Sequence, residues 1–291
     1  MGQILFIINP IAGSKTKQAQ VVEYIRAQYS NRTFTLYNTT GRGDAVKATK
    51  NASQEGVDTV VAVGGDGTIN EVATGLLGAK KSAMGVVPIG SGNGFGRALG
   101  VPLEFEKAID IVFTGKPRAI DMGKAAHRHF CAVAGVGFDA IVSAAFDGSE
   151  LRGLKSYVKH ALFEFLRYKP QALTITYDDH QTNCKPFMAT VANANEFGNG
   201  AVLAPRAKMD DGLLDLCIAH EMSFPLLVSA AVKMFRGTIE KHSRVEHHQA
   251  RSVVFRKKGE IQFHVDGEPE TTQDELKIEV IPSALRVCCG N

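Results

Sequence analysis

The chain has 291 residues, of which 44% are hydrophobic and 22% are charged, as in a globular protein of one large domain or two ordinary ones. Its formal net charge of +3 gives no reason to expect a nucleic-acid partner, and its five scattered cysteines, without C-x-x-C spacing, argue against a disulfide framework. The N-terminus lacks a basic segment with a cleavage site, and no apolar run approaches the roughly 18 residues of a membrane span, so we expect a cytoplasmic protein.

The first 121 residues alternate strand and helix patterns, which predicts a parallel sheet with helices on both faces. The predicted strands are Ile4–Ile8, Thr33–Tyr37, Val60–Val63 and Gly85–Ile89, and the predicted helices are Lys15–Tyr29, Asp44–Glu55 and Phe105–Phe113. A further helix after Asp66 buries one face, made by Ile69, Val72, Ala73, Leu76 and Leu77. Asn70 and Glu71 lie off that face, close to the turn that precedes the helix.

Residues 122–280 show period-two alternation, which is typical of half-buried antiparallel strands and predicts a second, β-rich domain. The alternating positions are Leu173, Ile175 and Tyr177, then Ile261, Phe263 and Val265, then Leu276, Ile278 and Val280. Helical patterns interrupt at Leu154–Arg167 and Phe224–Phe235. The last strand-like stretch, Leu285–Cys289, predicts that residues 281–291 return to the first domain. Basic and apolar residues mix between Arg152 and Lys169, as on a solvated helix face or an interfacial helix that touches anionic lipid.

Two glycine-rich turns follow two of the predicted strands. They are Gly64-Gly65-Asp66-Gly67-Thr68 and Gly90-Ser91-Gly92-Asn93-Gly94. Glycine lets backbone amides approach a phosphate closely, and the helix N-terminus behind such a turn favours negative charge. A helix cap by Asp66 would explain an acidic residue there, but it does not require three glycines within four residues. The pair therefore predicts nucleotide binding.

The loop Asn9-Pro10-x-x-Gly13 follows the first strand and is a weaker candidate for a phosphate-side loop. The adjoining Gly13-Ser14-Lys15-Thr16 lacks the glycines of a Walker motif, and no G-x-G-x-x-G follows the first strand, which argues against a dinucleotide dehydrogenase.

Carboxylates of the second half stand at turns: Asp121, Asp139, Asp210-Asp211-Gly212 and Asp266-Gly267-Glu268. Each by itself reads as a turn, because Asp-Gly is a common hairpin signal. Phosphoryl transfer also needs Mg²⁺ held by carboxylates and a base for the hydroxyl proton, which makes Glu268 a candidate base. The residues alone fit either a turn or a catalytic role for these carboxylates.

The chain resembles the bacterial lipid kinases of the diacylglycerol kinase catalytic-domain family, relatives of sphingosine and ceramide kinases. The matching stretches run in family order: Asn9-Pro10-x-x-Gly13, Val63–Glu71, Pro88–Asn93, Gly135–Ala140, Asp211-Gly212 and Asp266–Glu268. The resemblance implies an N-terminal Rossmann-like α/β nucleotide domain (1–121, joined by 281–291) and a β-rich, sandwich-like lipid-binding domain (122–280). It places the active site in the cleft between the two.

The resemblance also implies residue roles. ATP would contact Asn9, Pro10, Gly13, Thr39, Gly64, Gly65, Asp66, Gly67, Thr68, Asn70, Glu71 and Ser91. A Mg²⁺ in the second domain would be held around Asp211 with backbone carbonyls of Lys208 and Leu213, and Asp121 and Asp266 would join an acidic, water-linked network towards the Mg²⁺ of the nucleotide. The general base would be Glu268 in the bacterial pattern and Asp66 in the sphingosine-kinase pattern. We favour Glu268.

The expected function is an ATP- and Mg²⁺-dependent lipid kinase that phosphorylates a hydroxyl of diacylglycerol or of a sphingoid or other long-chain alcohol. Such an enzyme would work peripherally at the inner membrane face, without a nucleic-acid partner, and pairing as a homodimer is left open. The alternatives are an NAD kinase-like enzyme, because Gly-Gly-Asp-Gly-Thr turns occur there too, and a non-catalytic nucleotide-binding regulator.

Overall fold

A computed structural model describes residues 2–141 and 167–289 of the chain. Contacts divide the chain into two compact units, one made of Met1–Ile120 with Ser283–Asn291 and the other of Asp121–Pro282. Within the described ranges, none of the helices combines the length and the apolar character needed to cross a membrane. The helix predicted at Leu154–Arg167, and with it most of the mixed basic and apolar stretch, lies outside the described residues.

The first unit is an α/β domain built on a parallel sheet. Its strands are β1 (Ile4–Ile8), β2 (Phe34–Asn38), β3 (Thr59–Gly64) and β4 (Ala83–Pro88), and its helices are α1 (Lys15–Gln28), α2 (Asp44–Gln54), α3 (Asp66–Leu76), α4 (Gly94–Ala98) and α5 (Phe105–Thr114). The strand order is β2-β1-β3-β4, every pair is parallel, and Gly64 at the end of β3 lies opposite Pro88 at the end of β4. The carboxyl ends of all four strands therefore meet at one edge.

The predicted elements of this unit are confirmed to within two residues at each end, apart from α4, which the sequence did not indicate. The apolar face of α3 is also confirmed at Ile69, Val72, Ala73 and Leu76, all buried. Leu77 differs, because the helix ends at Leu76 and Gly78 follows with φ +79°. Leu77 is consequently only half-buried.

The second unit is dominated by antiparallel strands. They are β5 (Lys116–Ala125), β6 (Arg128–Phe130), β7 (Val133–Gly137), β8 (Leu173–Tyr177), β9 (His180–Cys184), β10 (Pro186–Ala192), β11 (Leu214–His220), β12 (Val245–Ala250), β13 (Ser252–Val265) and β14 (Glu268–Cys289), with helix α6 (Phe224–Phe235) and a 3₁₀ turn (Ile239–Lys241). The main order is β12-β11-β10-β7-β13-β14, with β8 also paired to β13 and β9 to β8. The first half of β5, up to Ile120, and the last residues of β14, from Ser283, belong to the first unit, where Val287 pairs in parallel with Met84.

The period-two pattern correctly predicts the core of this unit. The buried positions include Leu173, Ile175, Ile261, Phe263, Val265, Leu276 and Ile278. Tyr177 and Val280 pack against this core while only partly buried. The helix predicted at Phe224–Phe235 is confirmed as α6.

Candidate functional site

The two glycine turns of the first unit are in direct backbone contact. A Cβ added at Gly90 would lie 2.5 Å from the Cα of Gly65, a distance that real Cβ atoms do not show. The amide of Ile89 donates to the carbonyl of Gly64 at 3.0 Å, which ties the turns together at the sheet edge. Glycine is therefore required at position 90 for this close approach, whatever the turns bind, whereas a Cβ at Gly65 would lie at an ordinary contact distance of 3.4 Å from the Cα of Gly90.

Helix α3 begins at this contact with an N-terminus that has no side-chain cap. Its N-cap residue is Gly65, which has no side chain that could accept from the first-turn amides. First-turn amides lack helical partners, and the helix dipole adds positive potential, so an anion is favoured here. Asp66 stands in this first turn, and one of its carboxylate oxygens accepts from the amide of Phe95 at 3.4 Å.

The turn after β4 is held by Asn93, which has left-handed backbone (φ 55°). Its side-chain amide donates to the carbonyl of Gly90 at 2.8 Å. Ser91 is exposed at the tip of this turn. The exposed position gives the Ser91 hydroxyl no role in the core, whereas the Asn93 side chain holds the turn.

The loop after β1 joins the same edge. Asn9 donates from Nδ2 to the hydroxyl of Thr68 at 3.0 Å, and its Oδ1 accepts from the amide of Ile11 at 3.0 Å. Gly13 has φ +67°, and a Cβ there would lie 2.7 Å from the carbonyl oxygen of Ile89. The structure thus brings together three of the predicted nucleotide segments, Asn9–Gly13, Gly64–Thr68 and the turn from Gly90, while Pro10 and Gly67 are exposed on them.

Glu71 is a predicted nucleotide residue whose carboxylate binds the loop before α2. It accepts from the amides of Gly43 at 2.8 Å and Ala45 at 3.1 Å, at the start of α2, where Gly43 provides no side-chain cap. Thr39 lies buried at the beginning of this loop. Glu71 thereby fixes the loop that carries Thr39. Asn70 is partly buried and its side-chain oxygen accepts from Thr74 at 3.4 Å.

In the second unit, the carboxylate of Asp266 accepts three backbone hydrogen bonds. The amide of Cys131 donates to Oδ2 at 2.8 Å, and the amides of Ala132 and Val133 donate to Oδ1 at 2.9 Å each. Asp266 itself has φ +49°. The side chain therefore joins the turn between β13 and β14 to the chain before β7, a role that sequence reasoning did not assign to it.

The candidate base Glu268 begins β14 and forms an ion pair. Its Oε2 accepts from Nη2 of Arg128 at 2.6 Å, and Arg128 also contacts Glu270. Burial lowers the pKa of Arg128, but its bonds to Glu268 and Glu270 outweigh that and leave the pKa above its ordinary value. Arg128 was not among the predicted residues, because it stands 140 positions away from Glu268.

A buried polar network supports the same turn and was also missed. Nε2 of His264 lies 3.1 Å from Oδ2 of Asp139, and the hydroxyl of Thr190 donates to the same oxygen. On its other side, Nδ1 of His264 accepts from the amide of Gly267 at 3.4 Å. His264, Asp139 and Thr190 are all buried. The signal available in the sequence was a histidine two residues before Asp266, on a strand whose alternation predicts an outward side chain there.

Of the predicted metal residues, Lys208, Asp211 and Leu213 lie just before β11, Asp121 is joined to them by a hydrogen bond, and Asp266 lies in the turn between β13 and β14. Oδ2 of the buried Asp121 accepts from the amide of Gly212 at 2.7 Å, and Oδ1 of the exposed Asp211 accepts from the amide of Leu213 at 3.0 Å. Lys208 is exposed. Asp215, which the sequence did not single out, is buried nearby. Burial raises its pKa to about 6, opposed by a hydrogen bond with Gln249 and reinforced by the charge of Asp211.

Across the described ranges, no three His, Cys, Asp or Glu side chains are grouped so that they could hold a metal ion. A Mg²⁺ at Asp211 would consequently depend on main-chain oxygens and water. Such ligands suit this cation, which is usually bound through one or two carboxylates.

Family comparisons identify the class of protein that this fold and site define. Residues 3–125 match the diacylglycerol kinase catalytic domain, and residues 132–289 match the YegS C-terminal NAD kinase beta sandwich-like domain. The diacylglycerol kinase of Bacillus subtilis is 31% identical over 278 residues, 92% of this chain and 90% of that protein. That of Staphylococcus aureus (strain RF122) is 30% identical over 269 residues, 90% and 84% of the two chains.

The chain therefore belongs to the diacylglycerol kinase catalytic-domain family, as its motifs predicted. Solved structures agree on the fold. A diacylglycerol kinase from Bacillus anthracis has a TM-score of 0.74 at 21% identity, with 99% of this chain and 97% of that one covered. Yeast NADH kinase in complex with NADH has a TM-score of 0.53 at 11% identity, with 99% and 84% covered.

Proposed function

We propose that this protein is a lipid kinase that transfers the γ-phosphate of ATP to a hydroxyl of a membrane lipid. The observation that supports it most is the convergence of three phosphate-type loops, two of them in backbone contact through Gly65 and Gly90, in a chain whose relatives are named diacylglycerol kinases. Diacylglycerol is the first acceptor to test, and sphingoid and other long-chain alcohols follow. The proposed partner is a membrane surface, with no nucleic acid involved.

In this proposal the nucleotide is held by backbone more than by side chains. Gly64, Gly65, Gly67 and Thr68 would present amides to the phosphates, and Asp66 would organise them. Asn9, Pro10 and Gly13 form the facing loop, with Ser91 as a hydroxyl donor. The other proposed nucleotide residues are Thr39, Asn70 and Glu71. Glu71 would act by holding the loop that carries Thr39.

Mg²⁺ supplies the charge that balances the phosphates when it is bound, and the residues of this chain that fit it are few. Asp211 offers a carboxylate, with the carbonyls of Lys208 and Leu213 beside it. Asp121 and Asp266 remain proposed members of the acidic network. Since Asp266 already accepts three amides, its contribution would come from its charge more than from a direct bond.

Glu268 is the proposed general base. Its carboxylate would take the proton of the lipid hydroxyl as that oxygen bonds to the γ-phosphorus and the bond to the β-phosphate oxygen breaks, which leaves ADP and a phosphomonoester. The ion pair with Arg128 keeps Glu268 in one orientation. Asp66 is the alternative base.

The test is transfer of labelled γ-phosphate from ATP to a panel of lipids in mixed micelles. We expect labelled product with at least one long-chain alcohol, none with Asp66→Ala, and loss of turnover with retained ATP binding for Glu268→Gln. Unchanged turnover of Glu268→Gln would remove Glu268 as the base. ATP binding without transfer to any acceptor would indicate a non-catalytic regulator.

An NAD kinase-like activity is the second candidate, favoured by the beta sandwich-like domain match and by the fold shared with yeast NADH kinase. Incubation with NAD and labelled ATP in the same assay separates the two. We expect no labelled NADP, and label in NADP but in no lipid would reverse the assignment.

A further inference from the structure

Buried side-chain oxygens without a hydrogen-bond donor are concentrated just after strand β10. Within the described residues, six buried side-chain polar atoms have no hydrogen-bond partner. Three of them lie within four residues of the chain: Oδ1 of Asn193, Oδ1 of Asn195 and Oε2 of Glu196. We call this stretch the 193–196 segment. Buried polar atoms are nearly always paired with protein, water or a bound ion, so three unpaired acceptors on one segment indicate a ligand there.

The side chain of Asn193 is fixed by two hydrogen bonds and is 1% exposed. Its Nδ2 donates to the carbonyl of Asp121 at 3.0 Å and to the carbonyl of Cys131 at 2.9 Å. Only the nitrogen of an asparagine side chain can donate, so these two carbonyls determine which atom of the amide is the oxygen. Oδ1 is thereby held in the interior as an acceptor, and rotation of the amide would cost both bonds.

The same two partners connect the 193–196 segment to the acidic residues of the second unit. Asp121 accepts from Asn193 with its carbonyl and from the amide of Gly212 with its carboxylate, at 2.7 Å. Cys131 accepts from Asn193 with its carbonyl and donates its own amide to Asp266 at 2.8 Å. The segment is therefore bonded to the parts of the chain that carry the residues proposed for Mg²⁺.

The charge of Glu196 favours a cation as the ligand. Its carboxylate forms no ion pair with any of the residues that the structure describes. The basic side chains nearest to it along the chain do not balance it, because Arg206 pairs with Glu240 at 2.9 Å and Lys208 is exposed. A partly buried carboxylate without a positive partner is unfavourable, and a bound cation would relieve it.

We propose that the 193–196 segment belongs to the Mg²⁺ site of the second unit, where Asn193, Asn195 and Glu196 accept hydrogen bonds from the water shell of the ion. Carboxylate and amide oxygens suit hard cations, and Mg²⁺ in proteins usually keeps several of its waters. Residues that hold those waters orient the site and contribute to metal affinity. The inference rests on the proposed function and adds to it three residues beyond Asp211.

The charged member is tested by titrating the full chain with Mn²⁺, followed by electron paramagnetic resonance, without ATP or lipid and with Mg²⁺ as competitor. We expect Glu196→Gln to weaken Mn²⁺ binding at least about tenfold. Asp211→Asn should weaken the same binding. Glu221→Gln removes an equal charge from an exposed residue of the same unit and should bind as wild type. Wild-type affinity in Glu196→Gln, or in Asp211→Asn, would overturn the shared site.

The neutral member is tested by thermal unfolding in EDTA and in Mg²⁺. Asn195→Leu removes a buried oxygen that has no donor, so the variant in EDTA should be as stable as wild type or more so, while the stabilisation by Mg²⁺ should be lost. Thr176→Val removes another such oxygen, on β8, and should keep the full stabilisation by Mg²⁺. Equal stabilisation of both variants by Mg²⁺ would mean that water alone serves Asn195 and would overturn the proposal.

Failure of this proposal and failure of the kinase proposal can be distinguished, because cation binding is measured without ATP. Phosphoryl transfer to lipid, together with wild-type Mn²⁺ affinity in Glu196→Gln, would reject the role of the 193–196 segment alone. Mn²⁺ binding that depends on Glu196 and Asn195, with no transfer to any acceptor, would reject the kinase alone.

Discussion

The turns of the first unit and the Asp266 turn of the second unit are held in place by different kinds of contact. In the first unit the turns that follow β3 and β4 meet backbone to backbone at Gly65 and Gly90, and glycine at position 90 makes the approach possible. In the second unit the turn from Asp266 is held from outside, by a carboxylate that accepts three amides and by the buried His264 beneath it.

The difference matters for deciding whether a turn binds a ligand or only holds the fold. A glycine turn leaves its amides available, so the same residues that build the turn can bind an anion. An aspartate turn uses the carboxylate to build itself. Asp266 is accordingly a structural residue first, whereas Asp211, which is exposed and accepts from the amide of Leu213, is better placed to meet an ion.

The largest effect is expected for Gly90→Ala. The new Cβ would press on the backbone at Gly65, which cannot move aside as a flexible side chain would. We expect loss of detectable ATP binding by calorimetry and about 3 kcal/mol of lost stability. Gly78→Ala is the control, because Gly78 has φ +79° with open space around it, and it should cost about 1 kcal/mol and leave ATP binding unchanged. Similar ATP affinity in both variants would contradict the claim that the contact between Gly65 and Gly90 is needed for ATP binding.

Asp266→Ala should lower the free energy of unfolding by about 2–3 kcal/mol, because three amides lose a charged acceptor. The loss should be the same in EDTA and in Mg²⁺ when measured by urea denaturation. Asp274→Ala is matched to it, since Asp274 also has positive φ (60°) and accepts the amide of Gly259, but it is exposed, and it should cost at most about 1 kcal/mol. A loss confined to Mg²⁺-containing buffer would make Asp266 a metal ligand first.

Thr190→Val should cost about 2 kcal/mol, because the buried carboxyl group of Asp139 loses one of its hydrogen-bond donors. Thr176→Val provides the matched comparison: its buried hydroxyl has no hydrogen-bond partner, so the same change should be neutral or slightly stabilising. Equal thermal stability of the two variants would show that the network under the Asp266 turn contributes little.

The smallest effect concerns the helix that follows the Asn9–Gly13 loop. Ser14 caps α1 by accepting from the amide of Lys17 at 3.1 Å, so Ser14→Ala should cost about 1 kcal/mol. Ser223 occupies the same position on α6 without a side-chain cap bond, so Ser223→Ala should be nearly silent. Denaturant midpoints measure both, and a larger loss at Ser223 would contradict the assignment of caps.

The sequence patterns within short segments were enough to predict the strands, helices and turns that those segments form. The strands β1 to β4, the buried face of α3 and the two glycine turns were all predictable, because apolar periodicity and glycine density are visible within ten residues. The meeting of Gly65 with Gly90 follows as soon as β3 and β4 are neighbours in a parallel sheet.

What the sequence did not reveal are partners brought together from distant parts of the chain. Arg128 and Glu268 are 140 positions apart, and Asp139 and His264 are 125 apart. A carboxylate at a turn looks the same whether it accepts three amides, as Asp266 does, or lies exposed, as Asp211 does. Only the fold distinguishes the two.

Hydrogen–deuterium exchange of the full chain tests the central claim most directly, that backbone amides of the two glycine turns bind the phosphates of ATP. ATP with Mg²⁺ should slow exchange in peptides that span residues 64–70 and 90–95, while adenosine, which lacks phosphates, should leave them unchanged. Unaltered exchange in both segments at saturating ATP, or equal protection by adenosine, would contradict the account.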